Sequence, residues 1–171
     1  MTEPTLAPGT CDETDIVLRP ATPSDAASIA DLPASRFDRG WSVAEFQALL
    51  ADPVVFAVLA ETGKPADGPA GFIAARSAAG EAEILTLAVS ARHERAGIGL
   101  ALVEYACRTA TSRSAGSVFL EVAAANRPAL ALYRRCGFLE AARRPQYYGN
   151  GEGADAIVMR RDLSQLVDAR P

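Results

Sequence analysis

Apolar residues recur along the chain with two different spacings, and the changes of spacing predict the order of strands and helices. Alternate spacing predicts a β-strand, and spacing of three to four residues predicts an α-helix. Strands are predicted over 15–19, 54–60, 70–76, 81–89, 118–122, 138–148 and 154–161, and helices over 26–32, 42–51, 97–113 and 129–136. Three of these strands follow one another without a helix, which predicts an antiparallel meander inside a mixed α/β fold.

Local signals define where the helices begin and end. Ser42 and Glu45 have the spacing of a capping box, and Trp41 and Phe46 occupy the positions of a hydrophobic staple. The helix at 97–113 has apolar spacing at positions that predict packing against the sheet: Ile98, Leu102, Tyr105, Ala106 and Thr109. In the strand that follows, residues 118, 120 and 122 are predicted to share one face, which leaves Glu121 on the other.

Composition favours one soluble domain. Of the 171 residues, 49% are hydrophobic, enough for a single core, and we expect that domain at 15–162 after a disordered leader at 1–14 and before a polar tail at 163–171. The leader lacks the basic start and apolar run of a signal peptide, and no stretch approaches the roughly 20 apolar residues of a membrane span.

Charge and cysteine content limit the kinds of partner and the cellular location that we expect. A net charge of −4 disfavours nucleic acid and suits a cationic acceptor. Three scattered cysteines and one histidine form no metal-binding spacing, so we expect no metal, a reducing cytoplasmic location, and His93 at the surface. A monomer or a weak dimer is the simplest assembly.

A glycine-containing turn offers the clearest candidate chemistry. Arg95-Ala96-Gly97-Ile98-Gly99-Leu100 lies between a predicted strand and a long helix, and unpaired amides at a helix start attract phosphate oxygens. A dinucleotide fold would need a third glycine where Leu102 stands, and a P-loop would need Gly-Lys-Ser/Thr. A tight turn that only permits close helix packing is the alternative.

Several segments together resemble the GNAT acetyltransferases, and within them the RimI-type ribosomal-protein alanine N-acetyltransferases. The resemblance runs from Glu83 to Arg161 and is carried by the glycine turn, by Phe119-Leu120-Glu121-Val122 and by Asn126 through Phe138. It implies a mixed, mostly antiparallel sheet flanked by helices, with central strands that diverge near Leu87 and Glu121 to hold acetyl-CoA. Glu94 stands where the family usually has Gln or Arg.

The resemblance also implies a role for individual residues. Glu121 matches the general base and Tyr133 the general acid. The residues that match contacts to the coenzyme are Leu87, Ala88 and Val89 for the pantetheine arm, Arg95, Ala96, Gly97, Ile98, Gly99 and Leu100 for the pyrophosphate, and Asn126. Trp41, Tyr147 and Tyr148 are candidates for lining the acceptor groove, with plain packing as the alternative for each.

The resemblance implies direct transfer of an acetyl group to a protein N-terminal amine, for example the alanine of a ribosomal protein. Such an acceptor is chemically favourable, because an α-amine titrates near 7.7–8.0 and a lysine near 10.4, so far more of the α-amine is neutral at pH 7. Two alternatives remain open: acetylation of a small amine or a lysine side chain, and a module that binds acetyl-CoA without catalysis.

Overall fold

The computed structural model describes residues 16–32, 41–63, 68–145, 147 and 155–164. Its strands are β1 (Val17–Pro20), β2 (Val55–Glu61), β3 (Gly71–Ala78), β4 (Glu81–Val89), β5 (Ser117–Ala123), β6 (Leu139–Arg144) and β7 (Ala156–Asp162). Its helices are α1 (Ala26–Ala30), α2 (Val43–Ala51), α3 (Ile98–Ser112) and α4 (Arg127–Arg135). The predicted leader lies outside the described residues. Leu163, the first residue of the predicted tail, is buried.

The seven strands form one sheet in the order β1-β2-β3-β4-β5-β7-β6. Among the described strands every neighbouring pair is antiparallel except β4 and β5, which are parallel. A parallel neighbour requires a crossover, and α3 provides it between these two strands. The mixed, mostly antiparallel sheet flanked by helices is therefore confirmed.

Two apolar layers cover the two faces of the sheet. One cluster joins α3 and α4 to the sheet and contains Leu102, Leu120 and Tyr133. The other joins α1 and α2 to the opposite face and contains Ile29 and Phe46. We call these the α3/α4 face and the α1/α2 face. Because successive side chains of a strand point to opposite faces, β2 and β3 contribute alternate residues to both layers.

Helix α3 packs with a slightly different stripe from the predicted one. Its buried residues are Ile98, Leu102, Val103, Ala106, Cys107 and Ala110. Tyr105 and Thr109 are half-buried, and Tyr105 packs against the apolar cluster between the helix and the sheet. Small Ala, Cys and Val side chains complete the stripe, which allows the helix to lie close to the sheet.

The predicted start of α2 is confirmed. The Ser42 amide donates to Glu45 Oε2 at 2.7 Å, and the Glu45 amide donates back to Ser42 Oγ at 3.2 Å. The rings of Trp41 and Phe46 lie 5.3 Å apart, and Phe46 meets Phe72 edge-on at 5.7 Å. This aromatic series ties the entry to α2 to strand β3.

An ion-pair cluster connects the start of the α1/α2 layer to the first two strands. Arg19 Nη2 on β1 lies 2.8 Å from Asp25 Oδ1 and 2.8 Å from Glu61 Oε1 on β2. The hydrogen bond from Arg19 lowers the pKa of Asp25 from 3.8 to about 2. The cluster therefore attaches the residues just before α1 to the first two strands.

Candidate active site

Strands β4 and β5 separate part-way along their length. Their parallel ladder pairs only three residues of each strand, from Glu81–Ser117 to Glu83–Phe119. Beyond Glu83 and Phe119 both strands continue, β4 to Val89 and β5 to Ala123, without pairing to each other. The predicted divergence is confirmed, and it opens a gap in the middle of the sheet.

An irregularity in β4 coincides with the start of this gap. Ala74 pairs with Thr86 and Ala75 with Ile84, so Leu85 is an extra residue in β4. A β-bulge bends its strand and increases the local twist. This bend turns the second half of β4 away from β5.

Alternate residues of β4 direct their backbone N–H and C=O groups into the gap between β4 and β5. The Ser90 amide donates to Ala70 O at 2.9 Å, which fixes the alternation of the antiparallel ladder with β3. Residues of the opposite parity, Leu87 and Val89, therefore direct their N–H and C=O groups away from β3 and toward the gap. The backbone groups of Ala88 point toward β3 and are directed away from the gap.

The glycine turn enters α3 through two left-handed residues. Arg95 has a φ of 62° and Gly97 a φ of 82°. Gly97 caps the helix, and the first intrahelical bond is donated by Ala101 to Gly97 O at 3.0 Å. The amides of Ile98, Gly99 and Leu100 therefore have no intrahelical carbonyl and are available at the positive end of the helix.

The two glycines of the turn are required for different reasons. A Cβ at Gly97 would meet nothing within 4 Å, so only the left-handed backbone requires glycine there. A Cβ at Gly99 would lie 3.1 Å from Leu132 Cδ2 and 3.7 Å from Val89 Cγ2. Gly99 thus permits close contact between α3, α4 and the end of β4. Ile98 is fully buried, which leaves its amide as its only means of contacting a ligand.

Glu121 lies on β5 with its side chain 25% exposed. Its neighbours Leu120 and Val122 are buried on the α3/α4 face, as predicted, so Glu121 points to the α1/α2 face. Arg144 at the end of β6 approaches it, with Nη1 2.7 Å from Glu121 Oε1. The predicted base is therefore held in an ion pair.

Tyr133 lies on α4 and is 7% exposed within the α3/α4 layer. Its ring meets Phe138 edge-on, with the centroids 5.8 Å apart. Desolvation by burial raises the pKa of Tyr133 well above its usual value of 10. The phenol therefore stays protonated, as a proton donor requires.

Asn126 is the N-cap of α4. Its Oδ1 accepts a hydrogen bond from the Ala129 amide at 3.1 Å. The residue matched to a coenzyme contact therefore has a structural role that is sufficient to explain its type.

The aromatic candidates for the acceptor groove differ in their surroundings. Trp41 is half-buried and packs with Phe46 on the α1/α2 face, the face that carries Glu121. Tyr147 is 54% exposed, and the Arg144 guanidinium lies 5.7 Å from its ring centroid. Tyr148 lies outside the described residues.

Other reactive groups have surroundings that disfavour catalysis. Cys107 and Cys136 are buried, and desolvation raises the pKa of each thiol from 9 to about 11. Both are therefore poor nucleophiles. His93 is half-buried in the turn before α3, and its Nδ1 atom is inaccessible to solvent. The described residues include no group of three or more His, Cys, Asp or Glu side chains arranged to hold a metal.

Two residues of the site, Gly71 and Arg144, were not identified from the sequence. An added Cβ at Gly71 would lie 3.0 Å from both Ala88 O and Ile98 Cγ2, so glycine there lets the start of α3 lie against β3 and β4. A glycine opening a strand often marks such an approach and was an available signal. Arg144 had no comparable signal, because its contact with Glu121 depends on the pairing of β6.

No helix in the described part of the chain has the length and apolar character needed to span a membrane.

Comparison with known proteins places the chain in a family. It is 36% identical over 156 residues to the N-alpha-acetyltransferase RimI of Mycobacterium tuberculosis, covering 90% of this chain and 96% of the relative. It is 35% identical over 162 residues to the uncharacterized protein ML0378 of Mycobacterium leprae, covering 93% of this chain but only 44% of that longer protein. The crystal structure of the ribosomal-protein-S18-alanine N-acetyltransferase of Escherichia coli superposes with a TM-score of 0.77 at 26% identity, covering 88% of this chain and 95% of the other. Residues 26–138 match the acetyltransferase (GNAT) family, and the chain belongs to that family.

Proposed function

We propose that the protein transfers the acetyl group of acetyl-CoA directly to the N-terminal α-amine of a protein. The observation that carries the proposal is the gap between β4 and β5, where the ladder ends after Glu83 and Phe119. A thioester lying in this gap would be reached from both faces of the sheet. The start of α3 follows the end of β4, and Glu121 lies on the unpaired part of β5; the proposal has Tyr133 of α4 reach the same gap.

The donor is held by backbone groups. The free amides of Ile98, Gly99 and Leu100 at the positive end of α3 suit the pyrophosphate of the coenzyme. Arg95 is exposed in the same turn and supplies positive charge. The backbone groups of Leu87 and Val89, directed into the gap, suit the amides of the pantetheine arm.

The acceptor approaches from the α1/α2 face, where Glu121 and Trp41 lie. At pH 7 about a tenth of α-amines are neutral, against fewer than about one in a thousand lysine side chains. Because a substantial fraction of the α-amine is already neutral, a weak general base is sufficient for this acceptor. This chemistry favours a protein N-terminus over a lysine.

The proton transfers follow from this arrangement. The amine nitrogen attacks the thioester carbonyl, a C–N bond forms, and Glu121 accepts the proton that the nitrogen loses. Amides of β4 that face the gap, at Leu87 or Val89, stabilise the negative oxygen of the tetrahedral intermediate. The C–S bond then breaks, and Tyr133 donates its phenolic proton to the departing thiolate and regains one from solvent. Burial of both described cysteines disfavours an acyl-enzyme route.

The relatives suggest a narrower substrate. The E. coli neighbour is named for the alanine of ribosomal protein S18. By analogy, the acceptor of this protein is the N-terminal residue of a ribosomal protein, with alanine at the first position, and the reaction takes place in the cytoplasm.

The test offers purified protein and acetyl-CoA three acceptors in parallel. These are a peptide with the N-terminal sequence of a ribosomal protein from the same organism, the same peptide with its α-amine blocked and a lysine retained, and a polyamine. Tandem mass spectrometry locates the added acetyl group. Acetylation of the free α-amine alone supports the proposal.

Two results would contradict it. Modification of the blocked peptide or of the polyamine at an equal or higher rate would assign the enzyme to lysine or small-amine acetylation. Tight acetyl-CoA binding with no turnover on any acceptor, and no response to Glu121→Gln, would indicate a coenzyme-binding module.

A further inference from the structure

Arg144 forms an ion pair with the candidate base. Its Nη1 lies 2.7 Å from Glu121 Oε1, within the range of a charge-assisted hydrogen bond. The two residues come from β6 and β5, which are separated in the sheet by β7. The guanidinium therefore reaches over a whole strand to meet the carboxylate.

Strand register explains how it does so. Arg144 pairs with Ala156 on β7, and Ala156 pairs with Ala123 on β5. Directly paired residues share a face, and Ala123 shares a face with Glu121 two residues earlier. The row between Arg144 and β5 contains only alanines, so the long arginine side chain has room to cross it toward Glu121, which lies in the next row opposite Val158.

The same guanidinium contacts the segment after β6. It lies 5.7 Å from the ring centroid of Tyr147, close enough for a cation–π contact. Arg144 thus links the base to one candidate wall of the acceptor groove, and its position depends on both partners.

The ion pair is poorly explained by stability alone. The Arg144 side chain is 56% exposed, and an exposed ion pair contributes about 0–1 kcal/mol. Arg143, its neighbour, pairs with Asp155 at 3.3 Å with a similar exposure of 57%. The chain therefore offers an adjacent arginine with a comparable ion pair that does not involve the base.

We propose that Arg144 is a positioning residue that orients the carboxylate of Glu121 toward the acceptor amine. The proposal rests on the proposed function, because it assigns Glu121 as the base. Arg144 occupies one oxygen of the carboxylate and leaves Oε2 to receive the proton. It acts through Glu121 and takes no part in bond making.

The test measures steady-state kinetics for Arg144→Gln, Arg144→Lys and the matched control Arg143→Gln. We expect Arg144→Gln to lower kcat about tenfold, with the KM for acetyl-CoA changed less than about twofold, as for a misplaced catalytic group. Arg144→Lys, which keeps a positive charge, recovers a substantial part of the rate. Arg143→Gln stays within about twofold of the wild type.

A double-mutant cycle shows whether Arg144 acts through the base. If it does, Arg144→Gln lowers the wild-type rate but leaves the rate of Glu121→Gln unchanged. An equal loss in both backgrounds would overturn the proposal, as would a wild-type or faster rate for Arg144→Gln alone. Failure of the proposed function is a different result: Glu121→Gln itself would have no effect on any acceptor.

Discussion

Glu121 and Tyr133 lie on opposite faces of the central sheet. Glu121 points to the α1/α2 face, whereas Tyr133 is buried in the layer between α4 and the other face. The two side chains therefore do not share one face, although the gap between β4 and β5 lies next to Glu121. The arrangement suits two separate transfers at a gap, one from the amine on the acceptor side and one to the thiolate on the coenzyme side.

Glu121→Gln should remove the proposed general base and leave the proposed coenzyme site intact. We expect kcat to fall by about 10²-fold or more, the usual range for a general base, with little change in acetyl-CoA affinity. Stopped-assay kinetics and calorimetric titration with acetyl-CoA measure the two effects. A parallel loss of affinity would assign Glu121 a role in structure.

Tyr133→Phe should lower turnover by about 10²-fold while the ring remains in its packed position against Phe138. Because burial raises the pKa of Tyr133 well above 10, its ionisation should not reduce activity at or below pH 10. Ultraviolet titration of phenolate should show one tyrosine that ionises later than the rest and is lost in the variant. If Tyr133→Phe and the wild type had equal rates, the thiolate would need another proton donor.

Gly97→Ala and Gly99→Ala should each lower stability and acetyl-CoA binding, but for different reasons. Alanine at residue 97 costs about 1–2 kcal/mol because the backbone there is left-handed. It meets no neighbouring side chain, so no second substitution can relieve this strain. Alanine at residue 99 meets Leu132 at 3.1 Å, so Leu132→Val should restore it. Thermal unfolding and acetyl-CoA binding of the single and double variants test this. Rescue of Gly97→Ala by Leu132→Val would contradict it.

Glu94→Gln should tighten coenzyme binding. Glu94 is exposed in the turn before α3, where its charge would repel phosphates bound at the proposed coenzyme site. At an exposed site the effect is under about 1 kcal/mol, which corresponds to an affinity gain of about two- to fivefold. The gain should shrink as salt is added. Unchanged affinity at low salt would mean that the carboxylate is directed away from the coenzyme.

Stability should fall in acid because of Asp25. Its pKa is lowered from 3.8 to about 2 by Arg19, so the stabilisation is fully present above its unfolded pKa of about 4 and is lost as pH falls toward 2. Urea unfolding at pH 5, 4, 3 and 2 should therefore show a steeper loss for the wild type than for Asp25→Asn. Asp31→Asn, an exposed acid outside the ion-pair cluster, should keep the wild-type slope.

Local patterns were sufficient for the elements and for several helix starts, whereas the strand predicted over 138–148 ends at Arg144. The capping box of Ser42 and Glu45, the cap at Asn126 and the glycine helix start at residue 97 all form as predicted. Each depends on groups within four residues of one another, so the sequence carries the whole signal. The spacing did not single out Val103 and Cys107, which are buried in the same stripe of α3.

The sequence by itself determined which segments form strands and helices and where the glycine-opened start of α3 lies, since these depend on spacing over a few residues. Only the tertiary structure decided that β4 leaves β5 after Glu83, that the base and the acid candidates lie on opposite faces, and that Arg144 meets Glu121. These features depend on the register of strands far apart in the chain. Register follows from the packing of the whole sheet and has no local signature.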